Sequence, residues 1–238
     1  MKLKINLLIS SILLLTACKP KINYKNEWTN IFNGKDLEGW SVLSNDVETS
    51  KSFWKIENGV IHNITSGNKN HPGSWLAFNE ELSDFEFKIK FKSKGELKGN
   101  SGVQFRSTLD LPNNKMQGLQ IDIHPIGPYR TGLLYDETDG VKHWLFPVTE
   151  TWRLDSYEHN KNWKYNQDDW NELYLKCEGT KIITKLNGIE IVNYNGEGVI
   201  NNNLHKNMGV GMKGTLSIQL HRKHDIDIYF KDLQLKRL

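Results

Sequence analysis

The sequence predicts an all-β protein, a jelly-roll sandwich of two antiparallel sheets. Three observations carry that prediction. From Trp28 onward, apolar residues recur with period two, the spacing of a strand with one face buried. No stretch of helix length repeats its apolar residues every 3.6 positions. Gly and Asn punctuate the alternating runs at short intervals, as hairpins require.

In chain order, Phe53–His62 reads as two short strands about Asn58-Gly59, a dipeptide suited to a tight turn. Phe85–Lys92 places Phe85, Phe87, Ile89 and Phe91 inward and leaves a charged outer face. Ser101–Arg106 sets Val103 and Phe105 opposite Gln104 and Arg106. Leu119–His124 follows, and Gly132–Glu137 comes after a turn. Trp170–Glu178, Lys181–Leu186 and Ile189–Tyr194 form a meander through Gly179 and Asn187-Gly188. Gly209–Lys213, Gly214–His221 and Ile226–Leu235 close the chain as further strands. Segment 138–169 is the least patterned, and so long a connection is usually functional or mobile.

The 238 residues are 37% hydrophobic and 25% charged, which supports a single domain over 28–238 with a substantial core. Net charge is only +3, and basic residues sit beside acids, as Lys88 and Lys90 do beside Glu86. A nucleic-acid partner would call for a clustered basic stripe, so none is expected. Eight Trp supply core or platforms for sugar rings.

The N-terminus has a basic start, Met1–Lys4, an apolar run from Ile5 to Leu15, and then Leu15-Thr-Ala-Cys18. The run is too short to span a bilayer and reads as a signal peptide over 1–17. Leu-Thr-Ala-Cys resembles the bacterial lipobox. That resemblance implies cleavage before Cys18 and a lipid on its sulfur, with residues 18–27 as lipidated Cys and tether. It also implies a place in the cell envelope, periplasmic or at the outer-membrane surface. Lys19 after the Cys resembles lipoproteins sorted away from the inner membrane. The second of the two cysteines, Cys177, shares the apolar side of its strand with Leu173 and Leu175 and reads as a buried thiol. No disulfide framework or Cys-based zinc site is expected.

The candidate chemistry lies on strand faces. Leu119, Ile121 and Ile123 fall on one side of their strand, and Gln120, Asp122 and His124 on the other. Gln104 and Arg106 share a face, as do Gln219 and His221. A solvated sheet would more often show Lys, Glu and Thr at such positions. Short planar polar groups suit buried hydrogen-bond networks and carbohydrate recognition, because each can bridge two hydroxyls. Tyr135, Asp136 and Glu137 lie just beyond, and His143 and His159 fall in the irregular segment, as lid contacts or solvated residues. Asp122 and His124 can share a divalent metal with Glu137 or His221. Phosphate-loop, nucleophile-elbow and zincin motifs are missing.

An ordered set of segments carries a family resemblance. They are "WTNIFNGKDLEGWSV" at 28–42, "FWKIENGVI" at 53–61, "LSDFEFKIKFK" at 82–92, "GNSGVQFRS" at 99–107 and "MQGLQIDIHP" at 116–125. "TGLLYDE" at 131–137, "WNELYLKCEGTKIITKLNGIEIVNY" at 170–194 and "GTLSIQLH" at 214–221 complete it. Over nearly the whole mature chain the sequence resembles the 3-keto-disaccharide hydrolase family. The resemblance implies a concanavalin A-like sandwich, secretion or lipid anchoring, and cleavage of 3-keto-glycosides by lyase and hydratase steps. A ketone at C3 acidifies the C2 hydrogen, so the site needs a base, an acid for the departing oxygen and stabilisation of the enolate. His124, Asp122 or Glu137 would be base or acid, and Arg106 or a bound metal would steady the enolate. Gln104, Gln120, Tyr135, Gln219, His221 and His143 would bind substrate. Many family members carry Glu two residues before the Gln of this strand, where this chain has Gly118. A role carried there would pass to Glu137. The alternative is a non-catalytic, lectin-like glycan-binding lipoprotein.

Overall fold

A computed structural model describes residues 26–94, 100–124, 130–150, 153–154 and 164–238. The segment expected to be a signal peptide, Cys18, all but the end of the expected tether, and His159 lie outside them. The chain begins with β1 (Thr29–Asn30), β2 (Trp40–Leu43), α1 (Val47–Lys51), β3 (Trp54–Glu57) and β4 (Val60–Ile64). It continues through β5 (Ser74–Leu82), β6 (Phe85–Ser93), β7 (Ser101–Asp110), β8 (Lys115–Ile123), β9 (Leu134–Asp136) and β10 (His143–Phe146). It ends with β11 (Asn171–Glu178), β12 (Lys181–Leu186), β13 (Ile189–Asn195), α2 (Asn203–Met208), β14 (Gly214–Leu220) and β15 (Asp227–Arg237).

Among the described residues these strands make two sheets in which every pairing is antiparallel. The first runs β13-β12-β11-β6-β15-β4-β3, with β1 beside β15; the second runs β10-β9-β8-β7-β14-β5-β2. The predicted inner residues of β6 (Phe85, Phe87, Ile89, Phe91) join Val103, Phe105, Leu119, Ile121 and Ile123 of the second sheet in one core. The first sheet keeps the half-wet alternation its sequence predicts. The second does not: β7 from Ser101 to Ser107 and β8 from Met116 to Ile123 are buried on both faces.

Asn58 and Gly59, at φ 51° and 79°, make the expected turn between β3 and β4. Two helices appear that periodicity did not announce. At five and six residues they are too short for a 3.6-residue pattern, and local caps hold them. Asp46 accepts from Thr49 N, Asn202 accepts from His205 N, and Gly209 at φ 68° ends α2. Gly209–Lys213, expected as a strand, is instead the exit from α2. Gly211 there sits at φ 85°, where a Cβ would fall 2.1 Å from Ile200 O. Strands β5 and β10 were not anticipated. Residues Ser74–Ala77 of β5 are all buried and so show no alternation, and β10 is four residues inside the unpatterned segment. Among the described residues no helix is long and apolar enough to cross a membrane.

One irregularity decides where a candidate site residue goes. Phe105 pairs with Leu119 and Thr108 with Gln117, so Arg106 and Ser107 together oppose Gly118. This β-bulge puts Arg106 at φ 49° and turns its side chain off the face of Gln104. The guanidinium is fully buried. Its Nε donates to Ser83 O (2.7 Å), Nη1 to Gly179 O (2.6 Å) and Gly211 O (3.3 Å), and Nη2 to Asp84 Oδ1 (2.8 Å). Ser83 and Asp84 turn the chain from β5 of one sheet into β6 of the other, and Gly179 joins β11 to β12. Arg106 therefore ties the sheets together at one end. The expectation that it contacts an enolate is corrected.

The same bulge explains Gly118. It lies at φ 119°, and a Cβ would meet Ser107 Cα at 2.7 Å and Arg106 O at 2.9 Å. No side chain fits, so a carboxylate cannot stand at this position while the bulge persists. Gly118→Ala is expected to lower stability by about 1–3 kcal/mol through strain and overpacking. Urea denaturation measures this, and an unchanged midpoint would mean that the bulge relaxes freely.

Candidate active site

Pairing of β7, β8 and β9 sets Gln104 beside Gln120 and Gln120 beside Tyr135, in a row across the outer face of the second sheet. Gln104 Nε2 donates to Gln120 Oε1 (2.9 Å), and Gln120 Nε2 donates to Asp122 Oδ1 (3.3 Å). Gly102 makes room for this chain, since a Cβ there would stand 2.7 Å from Gln120 Cδ. Gln219 and His221 arrive from β14 and its end, and Glu137 follows β9 with its amide bonded to Gly118 O (2.8 Å).

These groups border two adjoining cavities that share Glu137, His221 and Arg222. The larger, about 330 Å³, is lined also by Gln120, Asp122, Tyr135, Arg130 and Trp144. That volume lies at the lower end of the range of about 300–1,000 Å³ found for small-molecule sites. The smaller, about 170 Å³, is lined also by Trp75, Gln104, Gln219 and Lys142.

Around both, buried polar atoms are left without hydrogen bonds to the described residues. They are Gln104 Oε1, Asp122 Oδ2, Gln219 Oε1, Asn100 Oδ1, Trp75 Nε1 and Arg130 Nε. Leaving such a group unmade costs about 1–3 kcal/mol, so native proteins keep few of them. Six around one cleft mark where the polar atoms of a ligand or of water are received.

The electrostatics separate acids from a base. Burial pushes Asp122 up to about 7, with Arg130 pulling the other way and Glu137 reinforcing the rise. Burial likewise pushes Glu137 up to about 7, opposed by Lys142 and Arg222 and assisted by Asp136. Burial, and then His224 stacked 4.1 Å away, pushes His221 down to about 4. Its Nδ1 lies 2.9 Å from Arg222 O. A carbonyl only accepts, so Nδ1 carries the hydrogen and Nε2 keeps its lone pair. Burial pushes the Tyr135 phenol up, so it stays a donor. Trp144 meets Tyr135 edge-on at 5.0 Å, and Arg130 lies over Trp144 while donating to Leu154 O (3.1 Å). Two carboxyls that can hold a proton near neutrality and one neutral imidazole are the equipment of general acid–base chemistry.

The structure thus brings together Gln104, Gln120, Asp122, Tyr135, Glu137, Gln219 and His221. It does not bring in Arg106, His124 or His143. β8 ends at Ile123, so alternation no longer places His124, whose backbone is tied to Thr131 Oγ1 and which does not line either cavity. His143 is out of phase with Trp144, the neighbour that lines the cleft, and its Nδ1 stays against Trp144 O (3.1 Å). Among the described residues no three or more His, Cys, Asp or Glu side chains converge as metal ligands. Trp75, Asn100, Arg130, Lys142, Trp144 and Arg222 were not anticipated. Arg222 carried a usable signal as the residue after His221; Arg130 and Asn100 sit in irregular segments that give none.

The fold is similar to that of a Parabacteroides distasonis protein provisionally assigned as a glycosyl hydrolase, 20% identical, with TM-score 0.58 over 89% of this chain and 94% of that one. It is similar to a Bacillus subtilis protein of unknown function with a galectin-like fold, 11% identical, with TM-score 0.56 over 89% and 94%. The carbohydrate recognition domain of Emp46p, in its metal-free form, is 14% identical with TM-score 0.52 over 87% and 94%. At these identities the likeness is one of fold. Comparison with curated proteins finds no match. A family model, however, matches residues 27–236, from before β1 to within β15. The chain belongs to the family of 3-keto-alpha-glucoside-1,2-lyase-like domains.

Proposed function

We propose that this protein cleaves 3-keto-glycosides by removing the C2 proton, eliminating the C1 substituent and hydrating the product. The observation that carries the reading is the convergence of a neutral imidazole and two protonatable carboxyls on a cleft ringed by unsatisfied polar atoms. His221 Nε2 takes the C2 proton. The electron pair passes to the C3 oxygen, where Arg222, Arg130 and the Tyr135 hydroxyl offer positive charge and a donor. Glu137, which borders both cavities, gives its proton to the departing C1 oxygen as that bond breaks. Water then adds at C1, returning one proton to Glu137, and protonated His221 returns the other to C2. Asp122, aligned by the Gln104–Gln120 chain, receives a substrate hydroxyl. In the same proposal the larger cavity holds the 3-keto ring and the smaller one the leaving group. A lipid on Cys18 displays the domain in the cell envelope.

The test is release of the leaving group from α- and β-linked 3-keto-glucosides, with and without added divalent cations. No turnover under any of these conditions would sink the reading. Saturable sugar binding without turnover would make the protein a glycan-binding lipoprotein instead.

A further inference from the structure

Behind the cleft lies a buried ion pair that the proposed reaction does not use. Along β9 and just past it, Tyr135 and Glu137 face the cavities, so Asp136 between them faces the opposite way. Asp136 and His205 are both fully buried, with Oδ2 and Nε2 2.8 Å apart. Asp136 Oδ1 accepts from Thr138 N (2.9 Å). His205 Nδ1 lies 3.0 Å from Asn202 Oδ1, the oxygen that also caps α2 by accepting from His205 N. Helix α2 thereby grips the end of β9 through a chain of three side chains, none of which lines the cleft.

We propose that the Asp136–His205 pair is the positioning element of this site, fixing the direction of Tyr135 and Glu137 from behind the sheet and setting the charge beside which Glu137 works. Asp136 is one residue from Glu137 and raises its affinity for a proton, after the larger effect of burial. The other titratable and charged groups around Glu137 are Lys142 and Asp139 on the segment leading to β10, Asp122 on β8, Tyr135 on β9, Arg130, Arg222 after β14, and the neutral His221 across the cavity. Asp136 is fully buried and held from two sides, by Thr138 N and His205 Nε2, so the fold fixes its place. The inference rests on the proposed role of Glu137, but its first test does not need turnover.

Asp136→Asn keeps the geometry, because the Asn oxygen can accept from Thr138 N while its amide donates to His205 Nε2. In the full chain, the Glu137 carboxyl is followed by infrared or carbon NMR titration and assigned by its loss in Glu137→Gln. Asp136→Asn removes the carboxylate and, with the Asn amide donating to His205 Nε2, the imidazolium proton too; the carboxylate is the nearer charge, so the Glu137 midpoint is expected to move down. His205→Gln retains a donor toward Asp136 but removes the imidazole, and is expected to move the midpoint up. The alkaline limb of the pH–rate profile should follow each shift with little change in KM. A Glu137 midpoint unmoved in either folded variant overturns the inference and leaves the pair a packing feature. A midpoint that moves in a protein with no turnover upholds it while the reading of the reaction falls.

Discussion

His221→Gln is expected to lower kcat/KM on a 3-keto-glucoside by about 10²–10⁴-fold, the range spanned by a positioned general base. The side chain lines both cavities, and its neighbours hold it neutral with the lone pair on Nε2. Gln preserves volume and a hydrogen-bonding end but cannot take a proton from carbon. The wild-type profile should rise as pH passes about 4, where His221 loses its proton. It should fall as pH passes about 7, where Glu137 loses the proton it must donate. Glu137→Gln should abolish the alkaline fall at a reduced rate. If His221→Gln stays within tenfold of wild type, the base is another group, and Asp122, also raised to about 7, becomes the test case.

Arg106→Ala should be the most destabilising substitution in the second sheet, at roughly 3–5 kcal/mol. It would strip hydrogen-bond donors from Ser83 O, Gly179 O and Gly211 O and leave a void where a fully buried guanidinium stood. Domains of this kind hold only about 5–15 kcal/mol in total. Arg106→Lys should recover little, because a single ammonium cannot reproduce a planar fork that reaches four oxygens. Equilibrium urea denaturation is the measurement, and a loss below about 1 kcal/mol would show the tie to be dispensable. Sugar binding at temperatures where the variant stays folded should be unchanged, since Arg106 does not line the cleft.

The sandwich was legible because β6, β11, β12 and β15 keep one wet face, so their alternation survives in the sequence. In β7 and β8 both faces are buried, yet the alternation still showed, because one buried face is apolar and the other amide and carboxylate. That contrast picked out Gln104, Gln120, Asp122 and Gln219 correctly as a group sharing one surface. Alternation failed where strands stop being regular. The bulge reversed Arg106, and the end of β8 released His124 from its phase. Arg130 and Asn100 come from irregular segments, where neighbours in space are set by long-range packing that no local period encodes. His221 was visible, but its role was not. Burial beside His224 and the carbonyl at Nδ1 are what support its proposed role as a base rather than a binding group.

The unsatisfied atoms of the cleft also bear on how such a site persists. Gln104 Oε1, Gln219 Oε1 and Asp122 Oδ2 make no hydrogen bond to the described residues, and neither does Ser217 Oγ on the same sheet. Mutation toward apolar residues there would strengthen the fold, so stability by itself gives drift a reason to erase the polar face. A fold that carries such a face gives up stability for what the face can bind. Arg106 fastens the sandwich through groups that line neither cavity, so the stability given up at the cleft and the stability gained at the bulge are carried by separate residues.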